Sequence, residues 1–594
     1  MKKNNGMSAN GDAEDREFDV AICGGGLAGL TLARQLKQQL PHISIVLIER
    51  LSRPLPEAAF KVGESTVETG AFYLSEVLKL TDYFEKHHLH KMGLRYFFTN
   101  TTGRFQDRPE FGLSEFPAVN TYQIDRGMLE NDLRRFNEQA GVVMMEGCSI
   151  LDVALANGNG RHAITYKTGN DGSARTVRAR WVIDATGRRR FLQKKLNLSK
   201  PAGRACSASW FRYEGRIDVN DLVPRTEEDW HQRVPNKNRY YSTTHLMGNG
   251  YWVWLIPLGS DSTSVGIVAL EDIHPFDGFN TYERSLEWLR QHEPELADYL
   301  DGRSPLDFRV MRRYSYSSRR VFSVDRWACV GEAGFFSDPY YSPGTDFIGF
   351  GNSIVTQLVE LDLDGKLTPE TIEEYNQFIL FLNNLITVNF QVGYHFYGNA
   401  AVMSAKLLWD VCAAWSFVTP QMFNSLFLDK ERSAPVRRVN ANFIFLTQRM
   451  QQLFVEWAAK STGRITYDFI DYLKIPFLYD LRLRNLSSGK SVEELVKDAM
   501  ANMRTLEELA QVLFLLAVED VMPECMDQFA PPVWLNAWSI SLDPDRWQAE
   551  RLFEPGSEPR DLSGIREQIR SLFHLAELSK APIISNDPNS LPGA

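Results

Sequence analysis

A glycine-rich turn between a short apolar strand and a helical run limits this chain's fold more than any other feature. Residues 19–23 (Asp-Val-Ala-Ile-Cys) read as a strand, Gly24-Gly25-Gly26-Leu27-Ala28-Gly29 follows, and a helical run continues to about residue 39. Pro41 breaks it, and residues 43–48 read as a second strand ending at Glu49 and Arg50. This is a βαβ unit with three glycines at G-x-G-x-x-G spacing and an acid 25 positions after the first of them. Gly24 permits the tight turn, Gly26 lets backbone approach a pyrophosphate, and Gly29 lets helix pack on strand. The helix start at Leu27 and Ala28 offers unpaired N–H groups and partial positive charge to phosphate. Glu49 is placed to accept from a ribose hydroxyl. A dinucleotide site is expected.

At 594 residues the chain exceeds what one hydrophobic core supports, so at least two packed domains are expected. Its formal charge of −10 argues against a nucleic-acid partner, which calls for a basic face. The six cysteines are scattered without C-x-x-C pairs, and the eleven histidines form no metal-spaced cluster. Reduced thiols in a cytoplasmic protein and no metal site are the expectation. Residues 1–17 read as a disordered tail without the apolar centre of a secretory signal. No membrane span is expected, because the apolar region 401–418 is interrupted by Ser404, Lys406 and Asp410.

Two more segments resemble strand ends at a ligand site: residues 181–188, running into Ala185-Thr186-Gly187-Arg188, and residues 327–334, ending in Gly331-Glu332-Ala333-Gly334. All three segments are expected at the carboxyl ends of one parallel sheet. Residues 207–213 and 251–269 are rich in β-branched and aromatic residues and predict a second sheet, drawn from approximately 90–120 and 205–320. From about residue 353 the pattern turns helical, with runs at 370–385, 400–414, 436–459 and 492–518. The expected fold is thus α/β, with an α+β second layer. A Rossmann-like domain over 18–352 is interleaved with a substrate sheet, and a separate helical region covers 353–594.

In this order of motifs, Gly24 to Gly29 with Glu49, then 182–187, then Gly331-Glu332 followed by Asp338-Pro339, the chain resembles the FAD-dependent monooxygenase superfamily. Glu332 stands where the family has aspartate and keeps a carboxylate for the ribityl side of the flavin. Trp252-Val253-Trp254-Leu255-Ile256-Pro257 matches the W-x-W-x-I-P pattern of flavin-dependent halogenases, and Lys61-Val62-Gly63-Glu64-Ser65-Thr66 is similar to the segment with which they cover the flavin. The alternative for the two tryptophans is simple packing in the second sheet. Arg126 matches an arginine the superfamily places near the flavin phosphates or ribityl chain, and a surface salt bridge is its alternative.

The resemblance implies FADH2 supplied by a separate reductase, and dioxygen giving a flavin C4a-hydroperoxide. Chloride or bromide is then oxidised to hypohalous acid, which a tunnel lysine presents to an electron-rich ring, as in the halogenations of secondary metabolism. Lys91, before an aromatic strand, matches that lysine, with Lys61 and Lys86 as alternatives. Burial would lower its pKa into the range where amine and ammonium coexist. The family's halide turn corresponds to Asp338-Pro339-Tyr340-Tyr341-Ser342-Pro343-Gly344-Thr345-Asp346. Pro343 has no N–H to donate, Gly344 and Thr345 retain theirs, and Asp346 adds a negative charge that opposes a halide unless it points away. Tryptophan-type halogenases carry glutamate where this chain has Tyr341, so the resemblance points to a small phenolic or pyrrolic substrate, free or carrier-bound, and to a possible homodimer. Two rivals stay open at this point. One is an aromatic hydroxylase that uses no halide, which the altered turn favours. The other is a non-catalytic flavin-binding partner docking on a carrier protein, against which the lysine argues.

Overall fold

The computed structural model describes residues 16–575 apart from 57–60, 100–101, 159, 170–171, 464, 530–534 and 555–560. Residues 1–15 of the expected tail lie outside the described residues, and Glu17 already opens the first strand, paired with Arg178.

The first strand, Glu17–Cys23, lies between Ala174–Asp184 and Ile45–Ile48 in a parallel arrangement, with Val143–Met145 beyond the latter and Trp327–Cys329 beyond the former. Cys23 is in register with Asp184, and Asp184 with Cys329, so the three motif-bearing strands end side by side as expected. Their near-continuous apolar character follows from burial: Val20, Ala21 and Ile22 are fully buried, with the helix Leu27–Gln39 packed on the sheet and Gly344–Leu363 packed on that helix. Two antiparallel strands, Cys148–Ala154 and His162–Thr168, extend this sheet along the first half of Ala174–Asp184.

The second sheet runs Pro305–Met311, Cys206–Glu214, Ser262–Leu270, Tyr251–Leu258, Thr243–Gly248, Leu94–Phe98, Glu110–Gly112 and Phe469–Asp471. Its last strand comes from the region expected to be separate and helical. That region also shares one continuous core with the sheet, in which Trp252, Trp254 and Met247 meet Tyr394, Tyr397 and Trp409. The helical third is therefore not a free-standing body. Helical periodicity shows that a face is buried but not against what.

Its boundaries also differ from expectation. The helix assigned from about residue 353 starts at Gly344, directly after the turn, and the run 436–459 is broken at Asn440–Asn442 into Lys430–Val439 and Phe443–Lys460. Val492–Val521 starts at a capping box, Ser491 and Glu494 exchanging side-chain-to-backbone bonds of 3.2 and 2.8 Å. Among the described residues, Ala400–Phe423 alone is long and apolar enough to cross a membrane, and 67% of its most apolar window is buried within the protein. Its apolar side chains are accounted for by the shared core.

Candidate active site

At the carboxyl ends of the parallel strands the three glycines perform different tasks. Gly24 has φ +119°, and a Cβ there would lie 2.3 Å from the Ala185 carbonyl oxygen. One on Gly29 would lie 2.1 Å from the Gly24 oxygen. A Cβ on Gly26 would face open space instead, meeting only Lys61 Nζ, at 3.9 Å. Glu49 sits across the turn, where Oε2 accepts from the Gly25 N–H (2.6 Å) and Oε1 from the Leu51 N–H (2.9 Å). Each oxygen keeps a lone pair for a hydroxyl. Arg50 is exposed at the rim. Asp184, fully buried, fixes the next loop by accepting from Thr186 N–H and Oγ1–H and from Leu192 N–H.

Charges converge on the opening above Gly26. Lys61 and Arg126 share the buried Glu130, and Arg126 Nη1 also donates to the Val62 carbonyl at 2.7 Å. Burial raises the Glu332 carboxyl, while Arg188, Arg126 and Lys61 pull it back, which places all four in one electrostatic neighbourhood. Arg126 Nε and Arg188 Nη1 are buried without a hydrogen-bond partner. A glycine cradle open at one residue, orphaned guanidinium nitrogens and carboxylates at the sheet edge fit a dinucleotide. Glu64 differs from its neighbours: its carboxylate is buried in an ion pair with Arg212 (2.6 Å), which also binds Asp307. Its side chain ties the covering segment to the second sheet, so Gly63 and Glu64 can offer a cofactor only backbone.

Of the three candidate lysines, Lys86 is exposed, Lys61 is one-third exposed, and only Lys91 is buried, at 2%. Lys91 Nζ donates to Ser65 Oγ (2.8 Å) and to the Thr66 carbonyl (2.7 Å), so the Glu64-Ser65-Thr66 segment holds the amine directly. Burial lowers its pKa from 10.5 to about 7, against the opposing pull of Glu68 and Asp346. His245 lies within its field. Burial holds that imidazole neutral, with a pKa of about 3, and its Nδ1 is 3.1 Å from the Arg95 carbonyl. Tyr96 stacks on His245 at 4.7 Å, and Tyr340 and Trp252 close over it at 5.8 and 5.2 Å.

In the turn after Asp338, Tyr341 and Ser342 both have positive φ, 63° and 59°. Asp338 is buried and accepts from the hydroxyls of Tyr314 (2.7 Å) and Tyr394 (3.0 Å) and from the Tyr340 N–H (3.0 Å). Pro339 accepts from the Ser342 N–H. Pro343 becomes the N-cap of Gly344–Leu363, which leaves Gly344 and Thr345 in the first turn, where backbone N–H groups lack helical partners. Asp346 turns inward: a Cβ on Gly70 would lie 2.8 Å from its Oδ1. Burial raises its carboxyl pKa well above the ordinary range, with Glu68 adding to the rise and the Gly70 N–H and Lys91 opposing it.

Both motif tryptophans are buried with satisfied N–H groups, Trp252 on Tyr394 Oη (3.0 Å) and Trp254 on Ser264 Oγ (3.1 Å). Gly266, directly opposite Trp254, leaves room for its ring, since a Cβ there would lie 2.2 Å from it. Both rings are thus packed in the second sheet, and Trp252 links that sheet through Tyr394 to Asp338. Trp252→Phe is expected to cost roughly 2 kcal/mol of stability, from one buried hydrogen bond and lost packing. A denaturant midpoint unchanged from wild type would refute this link. Sequence reasoning missed His245, Tyr96, Tyr314 and Tyr394, which carry no local motif and reach the site only through strand pairing and helix packing.

An FAD binding domain signature matches residues 17–266. The flavin-dependent halogenase chlA of Dictyostelium discoideum is 24% identical over 436 residues, 68% of this chain and 70% of its own length. The 1H-pyrrole-2-carbonyl-[peptidyl-carrier protein] chlorinase of Pseudomonas fluorescens is 26% identical, over 56% of this chain and 73% of its own. In fold, the halogenase PltM in complex with phloroglucinol and FAD superimposes with a TM-score of 0.61 at 14% identity, over 83% of this chain and 96% of that one. By its motifs, its FAD binding domain and these relatives together, the chain is similar to the flavin-dependent halogenases.

Proposed function

We propose that the protein halogenates a small phenolic or pyrrolic substrate with hypohalous acid delivered by Lys91. The observation that carries this reading is the burial of Lys91, whose pKa of about 7 allows both amine and ammonium at neutral pH. When bound, FAD reduced by a separate reductase supplies, with dioxygen, the oxidising equivalents for halide. Gly26, Gly29 and the helix start at Leu27 and Ala28 would hold its pyrophosphate, Glu49 its ribose, and Glu332 with Arg126 its ribityl side. The N–H groups of Gly344 and Thr345 would hold the halide.

The lysine's part follows from its surroundings. As ammonium, Lys91 hydrogen-bonds the oxygen of hypohalous acid and orients the halogen toward the ring. Its proton passes to that oxygen as the carbon–halogen bond forms and the O–X bond breaks, releasing water. The ring then loses its own proton, and the amine is reprotonated. Ser65 Oγ and the Thr66 carbonyl fix Nζ throughout. The tyrosines around His245 offer an aromatic wall for the substrate.

Pro343 favours the rival reading, direct hydroxylation, because it removes one amide from the turn. Incubation with FAD, a flavin reductase, NADH, bromide and resorcinol separates the two: a product with the bromine isotope doublet supports halogenation, and a gain of one oxygen supports hydroxylation. The raised carboxyl pKa of Asp346 has its own test. Asp346→Asn is expected to leave halide KM within about twofold. An ionised carboxylate there would weaken anion binding roughly tenfold or more, and its removal would lower KM by that factor.

A further inference from the structure

The chain carries a net charge of −10, yet residues 188–204 and 309–326 together hold thirteen Lys and Arg and one acid, Asp325. The fold brings these two segments together. Ser199–Pro201 pairs antiparallel with Tyr316–Ser318, with Lys200 opposite Ser317. The Arg319 N–H donates to the Leu198 carbonyl (2.8 Å), and the Tyr314 N–H to that of Cys206 (3.1 Å). The result is one basic ribbon. Lys194, Lys200, Arg319 and Arg320 are exposed on or beside it and make no ion pair among the described residues.

The ribbon's inner end reaches the cofactor cleft. Arg190 lies over the Tyr316 ring at 4.2 Å, and Arg188 over Phe336 at 5.5 Å. The Tyr316 hydroxyl donates to the Glu332 carbonyl at 2.6 Å. Arg188 Nη1 and Arg190 Nε are buried there without partners. Cations thus stand both on the exposed ribbon and, at Arg188 and Arg190, beside the edge where the nucleotide would enter.

We infer that this ribbon captures the incoming anionic flavin dinucleotide and steers it into the cleft. The inference rests on the reading that reduced FAD arrives from a separate reductase and must be taken up repeatedly. A protein of net negative charge repels a pyrophosphate at long range, and a local basic track offsets this where it matters, raising association rates without adding contacts in the bound state. Such steering fades as salt screens it over about 10 Å or less. Cations along the path therefore set the on-rate, and contacts at Gly26 and Glu49 set the off-rate.

Association of FAD with the flavin-free full chain, followed by stopped-flow flavin fluorescence, tests this separately from halogenation. Replacing Lys194, Lys200, Arg319 and Arg320 together by Gln is expected to lower the association rate roughly tenfold at low ionic strength, and replacement by Glu further still. All three proteins should converge near 0.5 M salt and share one dissociation rate. Equal association rates at low salt would overturn the inference, as would a deficit that persists at high salt or a faster dissociation rate, which would place these residues in the binding site or in the fold.

Discussion

Lys91→Met is expected to abolish ring halogenation, a loss of roughly 10²–10⁴-fold for a residue that both orients the halogen donor and moves a proton. FAD should remain bound, because Lys91 Nζ is hydrogen-bonded to Ser65 and Thr66 and not to Gly24, Gly26, Gly29 or Glu49 of the glycine cradle. Methionine matches the lysine stem and leaves no cavity. The same substitution has a stability signature that follows from the burial of the lysine. The folded-state pKa is about 7 and the ordinary value 10.5, so between them the unfolded chain holds a proton that the folded chain does not. Stability of the wild type therefore rises with pH across this window, and the burial penalty is largest below pH 7. In Lys91→Met that component of the slope is gone. Product mass spectrometry, the flavin absorbance of the purified variant, and denaturant midpoints at pH 7 and pH 10 check the three parts. Undiminished bromination would transfer the role to another group.

The sequence made the parallel sheet legible because its signals are local. Gly24, Gly26 and Gly29 each answer a steric demand within one βαβ unit, and the strands before Gly187 and Gly331 are continuous apolar runs. Lys91 could be singled out only by its match to the family's motif, and what distinguishes it from Lys61 and Lys86 in the fold is burial. The separate helical region failed as a reading because docking is not local. Nothing in residues 469–471 announces a strand that pairs beside Glu110–Gly112, and nothing in Tyr394 shows that it joins Trp252 to Asp338. Glu64 was assigned to the cofactor from its motif, yet its partner Arg212 lies 148 positions away on another sheet. The charge of Asp346 was equally out of reach, since its ionisation depends on burial against Gly70 and not on its neighbours in sequence.

Alanine at two glycines of one turn is expected to give opposite failures. Gly24→Ala places a methyl 2.3 Å from the Ala185 oxygen and 2.7 Å from its carbonyl carbon, both backbone atoms of the adjoining strand, at φ +119°. L-residues rarely adopt that angle, and no side-chain rotation relieves the clash. The strand ends at Cys23 and Asp184 must separate, so a loss of at least about 3 kcal/mol is expected, with little soluble flavoprotein recovered. Gly26→Ala meets only Lys61 Nζ, at 3.9 Å, and its φ is unexceptional. Its stability without flavin should stay within about 0.5 kcal/mol of wild type. FAD affinity should nevertheless fall tenfold or more, about 1.4 kcal/mol, because the methyl occupies the space a pyrophosphate needs and lengthens its bonds to the helix amides. Thermal melts without flavin and FAD titrations separate the two variants. If Gly26→Ala binds FAD as tightly as wild type, the phosphates lie elsewhere and the cradle is only a turn.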